Sequence, residues 1–280
     1  MKKLLFLFFL TLAGSLQSQN SHSNVDPGTN IWSDFTYDLA NIFKGVGNAY
    51  TQPLRWQKDD YLKLGGVAAG TFGFYLLDGE INSALTRNKE EIPRVLLNYG
   101  FYAGKPQNNY AITGAVYLTG LISKNKKLRR TGVLLISSAT ATGLLQQFMK
   151  SGVGRARPGT NFGKNHFKPF DPSPSYSSFP SGHGILTFTT AHILAKQFKS
   201  KWVKAGFYTL GTIPGISRIV EDAHWASDVF LSWAMSYFIV ESIDRYLDSK
   251  YDEKYNDGKP KKTALNLSFS GNRLGIQFVF

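Results

Sequence analysis

Three short clusters in this 280-residue chain bring together side chains suited to binding and attacking a phosphoryl group. Lys150 precedes Arg157-Pro158, Pro180-Ser181-Gly182-His183 comes next, and Ser217-Arg218 is followed by His224 and then Asp228. The inventory is three fixed cations, two imidazoles and one carboxylate. Arginine keeps its charge at any working pH and forks two N–H donors onto phosphate oxygens, while lysine adds a compact point charge. Lys150, Arg157 and Arg218 could therefore surround one phosphoryl group. Taken singly, each also reads as an ordinary solvated charge, and Arg218 could pair with Glu221 or Asp222.

The second cluster stands immediately before an apolar helical run. Ser181 is suited to cap that helix, and the free first-turn N–H groups at the positive end of the dipole form an anion site. Gly182 leaves room for a phosphate oxygen at close approach. In the third cluster, His224 and Asp228 stand four apart, so on a helix they share a face, where the carboxylate could hold the imidazole N–H turned away from substrate. His166 lies in the loop between the first two clusters, and Arg155 could add charge to the mouth of the site. His192 reads as a packed side chain and His22 as part of an N-terminal arm.

These clusters need a frame, and the chain reads as all-α. Helical patterns run over roughly 60–86, 93–103, 108–123, 127–150, 183–199, 202–217 and 225–248, with an amphipathic helix at 31–50 expected to pack its apolar stripe on the core, or else to lie on a membrane surface. The architecture implied is a bundle of about six core helices. Small residues such as Val67-Ala68-Ala69-Gly70 allow close helix approach. The organisation reads as a signal segment (1–18), an arm and amphipathic helix (19–59), a helical domain (60–248), a linker (249–262) and a tail (263–280). In that tail Leu265, Leu267 and Phe269, then Leu274, Ile276 and Phe278, alternate around Ser270-Gly271-Asn272, the pattern of a short C-terminal β-hairpin, expected to dock on the bundle.

A basic start at Met1-Lys2-Lys3, an apolar run from Leu4 to Leu12 and small residues beyond it resemble a bacterial secretory signal. An exported, periplasmic location is therefore expected. The net charge of +13 then points to an anionic substrate or membrane surface rather than to nucleic acid. No cysteine is present, which excludes thiolate nucleophiles and disulfides. Most apolar runs fall short of the roughly 20 residues a span needs, which favours a soluble or peripheral bundle. Basic turns at Lys124, Lys126, Lys127, Arg129 and Arg130, and around Lys196 to Lys204, pull toward an integral one by the positive-inside rule. Trp202 and Trp225 could support surface attachment or could equally belong to the core.

In combination, Lys150…Arg157-Pro158, Pro180-Ser181-Gly182-His183 and Ser217-Arg218…His224…Asp228 resemble the signature of the type-2 phosphatidic acid phosphatase superfamily. That superfamily embraces bacterial class A acid phosphatases, lipid phosphatases and vanadium haloperoxidases. The resemblance covers roughly residues 60–245, with all three parts in order and none substituted. It implies that His224 is a nucleophile forming a phosphohistidine and that Asp228 orients it. It further implies that His183 is the acid and then the base, and that Lys150, Arg157, Ser181, Gly182 and Arg218 bind phosphoryl oxygens, with no metal or cofactor. The substrate class implied is a lipid phosphate, an isoprenoid diphosphate or a small phosphoester. A vanadate-dependent haloperoxidase and a catalytically silent membrane-associated binding protein are the competing readings on the same scaffold.

Overall fold

The computed structural model describes residues 30–255 in full, and 256, 264–270 and 273–279 as backbone. The segment read as a signal, the arm preceding residue 30 and the turn of the tail lie outside the described residues. The chain divides into two units, Met1–Leu247 and Asp248–Phe280.

The first unit is a helical bundle. Its helices are α1 (Ile31–Thr51), α2 (Lys58–Arg87), α3 (Arg94–Ala103), α4 (Pro106–Ile122), α5 (Lys126–Val153), α6 (Gly182–Lys196) and α7 (Lys201–Val220), followed by α8 (Ala226–Asn256), which begins in this unit. No sheet enters the bundle among the described residues. α5, α6 and α8 form its centre, where Val133, Leu134, Leu135, Ile185, Ile193, Val229, Val240 and Ile243 are essentially inaccessible to water. Around them α6 packs on α7, α4 on α5, α1 on α5 and α3 on α7. All three clusters therefore hang from the best-packed helices, which suits a site that must hold its geometry.

Local chemistry accounts for the ends of these helices. Asn125 caps α5 by accepting the Leu128 N–H at 3.0 Å, and Ser200 caps α7. Gly154 ends α5 in the left-handed region (φ 56°), where its N–H returns to the Lys150 carbonyl. A β-carbon there would fall 1.8 Å from the Lys168 carbonyl oxygen, so the turn that releases the Arg155–Arg157 strand from the helix requires glycine.

α1 is turned the opposite way from expectation. Its buried residues are Asp34, Asp38, Asn41 and Gly45, whereas Trp32, Leu39 and Phe43 face outward, Trp32 with 67% of its surface exposed. The reason is Arg129, which is fully buried on α5 and ion-paired with both Asp34 and Asp38. Leaving that guanidinium unpaired would cost several kcal/mol, so the acidic face of α1 must turn inward. Arg129 is therefore no loop charge, and its neighbour Arg130 pairs with Asp244 at 2.8 Å.

α2 is similar, with Asp78 its one buried residue and Leu62, Leu64, Phe72, Phe74, Leu76 and Leu77 exposed. No helix among the described residues is long and apolar enough to cross a membrane. Of the two tryptophans that could belong to a surface or to the core, Trp202 is 88% exposed, whereas Trp225 is buried and donates its indole N–H to the Ala156 carbonyl at 2.8 Å.

α8 continues to Asn256, through the first part of the segment read as linker. A Lys250–Glu253 pair at 2.6 Å and contact between the Tyr251 and Tyr255 rings support the added turns. In the second unit two strands, β1 (Ala264–Ser270) and β2 (Arg273–Val279), pair antiparallel with Ala264 opposite Val279 and Ser270 opposite Arg273.

Candidate active site

The last turn of α5 carries Lys150, and the extended segment after Gly154 carries Arg155, Ala156 and Arg157. The first turn of α6 carries Gly182 and His183, the last turn of α7 carries Arg218, and the α7–α8 turn carries His224. The turn is closed by the Arg218 carbonyl, which accepts N–H groups from Ala223 (3.0 Å) and His224 (3.3 Å), and this ties the third cluster's arginine to its histidine. Asp222, at φ 54°, is anchored on α2 through Asn82 at 2.9 Å.

The expected phosphate-binding residues do gather. His224 feels the charges of Lys150, Arg157 and Arg218, and His183 feels the same three. Lys150 has no ion-pair partner among the described residues, and burial, then the neighbouring Arg157, pulls its pKa down to about 8. Arg157 donates from Nε and Nη2 to the Ser177 hydroxyl at 3.2 and 2.8 Å and meets no carboxylate; burial and Arg218 lower its pKa too. Arg218 is ion-paired with Glu221, and its guanidinium lies 5.5 Å from the centre of the Phe101 ring. Three cations thus face two imidazoles with one carboxylate paired among them. That surplus of positive charge in a partly desolvated cleft favours a multiply charged anion.

Ser181 behaves as expected of a cap, its hydroxyl accepting the Gly184 N–H at 3.3 Å. The first-turn N–H groups of Gly182 and His183 have no intrahelical acceptor. A β-carbon at Gly182 would approach no protein atom closer than 3.6 Å, the Gln146 side chain. Packing does not demand glycine there, so any such demand comes from a ligand.

Both imidazoles are held by backbone carbonyls. His224, 3% exposed, has its Nδ1 2.5 Å from the Ser178 carbonyl oxygen, which can only accept. The proton therefore sits on Nδ1, and Nε2 carries the lone pair. His183 bonds the Phe101 carbonyl, and its Nε2 is buried without a partner, so Nδ1 makes that bond and the free nitrogen is again Nε2. Phe101 stacks on the His183 ring at 6.0 Å. Burial and then Arg218 push His183 down to about 4, while burial and then Lys150 hold His224 well below its usual value. Before substrate arrives, both rings are neutral at pH 7.

Asp228 does not touch His224. The expectation of a shared helical face fails because His224 precedes α8, whereas Asp228 lies in its first turn and accepts the Trp225 N–H at 3.0 Å, as an acid near a helix start does. The same oxygen accepts the Ser178 hydroxyl at 2.5 Å, and the other pairs with Arg155 at 2.6 Å. Burial raises the Asp228 pKa against the opposing pull of Arg155 and the Ser178 hydroxyl. Arg155 is not at the mouth either. It is 2% exposed and lies between Asp228 and Asp78 of α2, the latter at 2.8 Å.

Sequence reasoning missed Ser178, Phe101 and Asp78. Ser178 occupies a loop without periodicity, but its place just before the Pro180 cluster was a usable signal. His166 bonds the Tyr176 hydroxyl at 3.3 Å and packs by Phe162, away from the paired imidazoles' contacts. His192 is structural, bonded to Tyr208 at 2.8 Å and Glu241 at 3.0 Å.

Part of the chain is similar to known proteins. The PAP2 superfamily profile matches residues 131–247, the segment from α5 into α8 that holds all three clusters. Over that segment the chain is similar to the PAP2 superfamily. A lipid A 1-phosphatase of Rhizobium etli is 26% identical over 202 residues, 65% of this chain and 81% of the relative. A lipid A 1-phosphatase of Porphyromonas gingivalis is 32% identical over 116 residues, 39% of this chain, and the alignment spans only 23% of that longer relative. An undecaprenyl-diphosphatase of Sulfolobus acidocaldarius is 29% identical over 126 residues, 44% of this chain and 58% of the relative.

Proposed function

We propose that this protein is a phosphatase that releases phosphate from a phosphorylated amphiphile, by attack of His224 on phosphorus. The observation that carries this reading is the pair of imidazoles, each fixed through Nδ1 on a backbone carbonyl and each with Nε2 unoccupied, set among Lys150, Arg157 and Arg218. The His224 Nε2 lone pair forms the N–P bond as the bond from phosphorus to the leaving oxygen breaks. His183 gives its Nε2 proton to that oxygen. In the second half, neutral His183 takes a proton from water as the water oxygen attacks phosphorus and the N–P bond breaks. Inorganic phosphate leaves and both imidazoles return to their starting states. The three cations, with the N–H groups of Gly182 and His183, stabilise charge on the equatorial oxygens, the main demand of phosphoryl transfer.

His183 must carry a proton for the first step although it is neutral in the free protein. The charge of the bound phosphoryl group offsets the cations that depress it, so substrate itself raises the pKa of its acid.

An amphiphilic substrate is supported from two sides. The relatives' names describe phosphate or diphosphate groups on lipids. The surface also fits a bilayer: the outward apolar faces of α1 and α2, with Phe162, Phe167 and Phe170 exposed on the loop after Arg157 beside Lys164 and Lys168, suit a membrane interface. The reading includes an exported, membrane-associated location. The test is phosphate release by purified protein, with chelator present, from a lipid monophosphate, a lipid diphosphate and a soluble monoester. The expected result is release at least about tenfold faster from a lipid in vesicles. Equal rates on all three would overturn the amphiphile reading, and no release would overturn the phosphatase.

A further inference from the structure

We infer that Asp78, on α2 and outside the segment matched by the superfamily profile, is a positioning residue for His224, acting through Arg155, Asp228 and Ser178. The inference rests on the reading above for its kinetic consequence, but its structural content stands without it.

Ser178 is the pivot. Its N–H donates to the Arg155 carbonyl at 3.1 Å, its hydroxyl to Asp228, and its own carbonyl receives His224 Nδ1. The peptide that sets the nucleophile's tautomer is therefore held from both ends, once by the backbone of Arg155 and once by a carboxylate. That carboxylate is in turn held by the Arg155 guanidinium, whose other fork goes to Asp78. Ser227 closes the circuit, accepting from Arg155 at 2.8 Å and donating its N–H and hydroxyl to the two oxygens of Asp78 at 2.9 and 2.6 Å. Asp78, Ser178 and Asp228 have no exposed surface, and Arg155 and Ser227 almost none.

Asp78 does more here than neutralise a charge. α2 turns most of its large apolar side chains outward, while Ile81 and Leu85 pack on Ile219, Ala226 and Val229, and its one buried residue spends its bonds on Arg155 and Ser227 beside the nucleophile. Two carboxylates share one guanidinium, so Asp78 restrains Arg155 from closing fully on Asp228. Asp228 keeps an oxygen for the Ser178 hydroxyl as a result. With asparagine at 78, the pull on Arg155 weakens and an amide N–H₂ competes with the Ser227 N–H for the same space. Buried networks of this kind respond as units.

The test uses the full-length protein with Asp78→Asn, Ser178→Ala and the double substitution. Ser178→Ala removes the hydroxyl that reaches Asp228 and keeps the carbonyl that reaches His224. The readouts are kcat and KM on a lipid phosphate, and the imidazole ¹⁵N shifts of His224 at pH 7, resolvable in a chain with five histidines. Expected are a kcat loss of about tenfold or more for each single variant with KM within about twofold, and a double variant hardly worse than the worse single one. The His224 nitrogens should shift from a pure Nδ1–H pattern toward a tautomer mixture in both single variants. Wild-type kcat and nitrogen shifts with only a lower melting temperature would reduce Asp78 to a structural role, and multiplying kcat losses would break the relay. Should Asp78→Asn fail to fold, Asp78→Glu, which keeps the charge but displaces both oxygens, takes its place with the same two readouts. A wild type that releases no phosphate sinks the enzymatic reading and leaves the nitrogen shifts to decide the relay.

Discussion

The carbonyl oxygen of Ser178 holds Nδ1 of His224, while Asp228, whose spacing suggested that role, holds the hydroxyl of the same serine instead. Main chain is a stiffer orienter than a carboxylate on two rotatable bonds, and it fixes the tautomer without placing a full negative charge on the imidazole. His224 then stays neutral beside three cations, which attack through nitrogen requires. His183 is held in the same manner by Phe101, so two backbone carbonyls, one before α6 and one in α3, hold the imidazoles proposed as nucleophile and acid.

If His183 supplies the proton to the leaving oxygen, its loss should matter in proportion to the basicity of that oxygen. His183→Ala is expected to slow an alkyl or lipid phosphate by about 10²–10⁴. An aryl phosphate with an acidic phenol should lose no more than about tenfold in its first step. Pre-steady-state release of the alcohol from the two substrates checks this. Equal losses on both would remove His183 from the role of acid.

Lys150 should give phosphate binding an alkaline limb. Its pKa is drawn down to about 8 in the free protein, and a bound anion favours the charged ammonium, so affinity is full below that value and falls as pH rises through it. The inhibition constant of inorganic phosphate is expected to rise by up to about tenfold per pH unit above 8, the limit for loss of one proton. Lys150→Met should bind weakly at every pH and show no limb there. Titration of inhibition from pH 6 to 10 in both proteins is the measurement.

Gly104 leaves no room for a side chain under His183. A β-carbon would come within 2.2–2.6 Å of the His183 side chain, whereas at Gly114, one helix on, it would meet nothing within 4 Å. Gly104→Ala is expected to destabilise the protein by about 1–3 kcal/mol and to displace the imidazole, lowering kcat by about tenfold or more. Gly114→Ala should leave both close to wild type. Chemical denaturation and turnover of the pair, side by side, check the contrast.

Much of this was legible in the sequence, for identifiable reasons. The helices follow from apolar spacing and from caps such as Asn125 and Ser181, whose effects are local. Lys150, Arg157, His183, Arg218 and His224 could be grouped as candidates because phosphate chemistry favours those residue types, and the structure places them near one another. What escaped is what depends on partners distant in the chain. Asp34 and Asp38 look like solvated acids until Arg129, some ninety residues later, is placed between them, and that pairing turns α1 inside out. Asp78 sits in a helix with no other buried residue, and Arg155 reads as one more basic residue in a basic loop, so neither advertises a role alone. The Asp228 assignment failed because spacing of four implies a shared face only inside a helix, and α8 starts two residues after His224.

The central claim is that His224 becomes covalently phosphorylated, and rapid-quench trapping tests it most directly. Wild-type protein mixed with a ³²P-labelled lipid phosphate and quenched in alkali within milliseconds should carry acid-labile, alkali-stable label on the peptide containing residue 224. The label should appear before inorganic phosphate and be absent from His224→Ala. Steady release of phosphate with no labelled histidine at any quench time, or label on a different residue, would contradict the account.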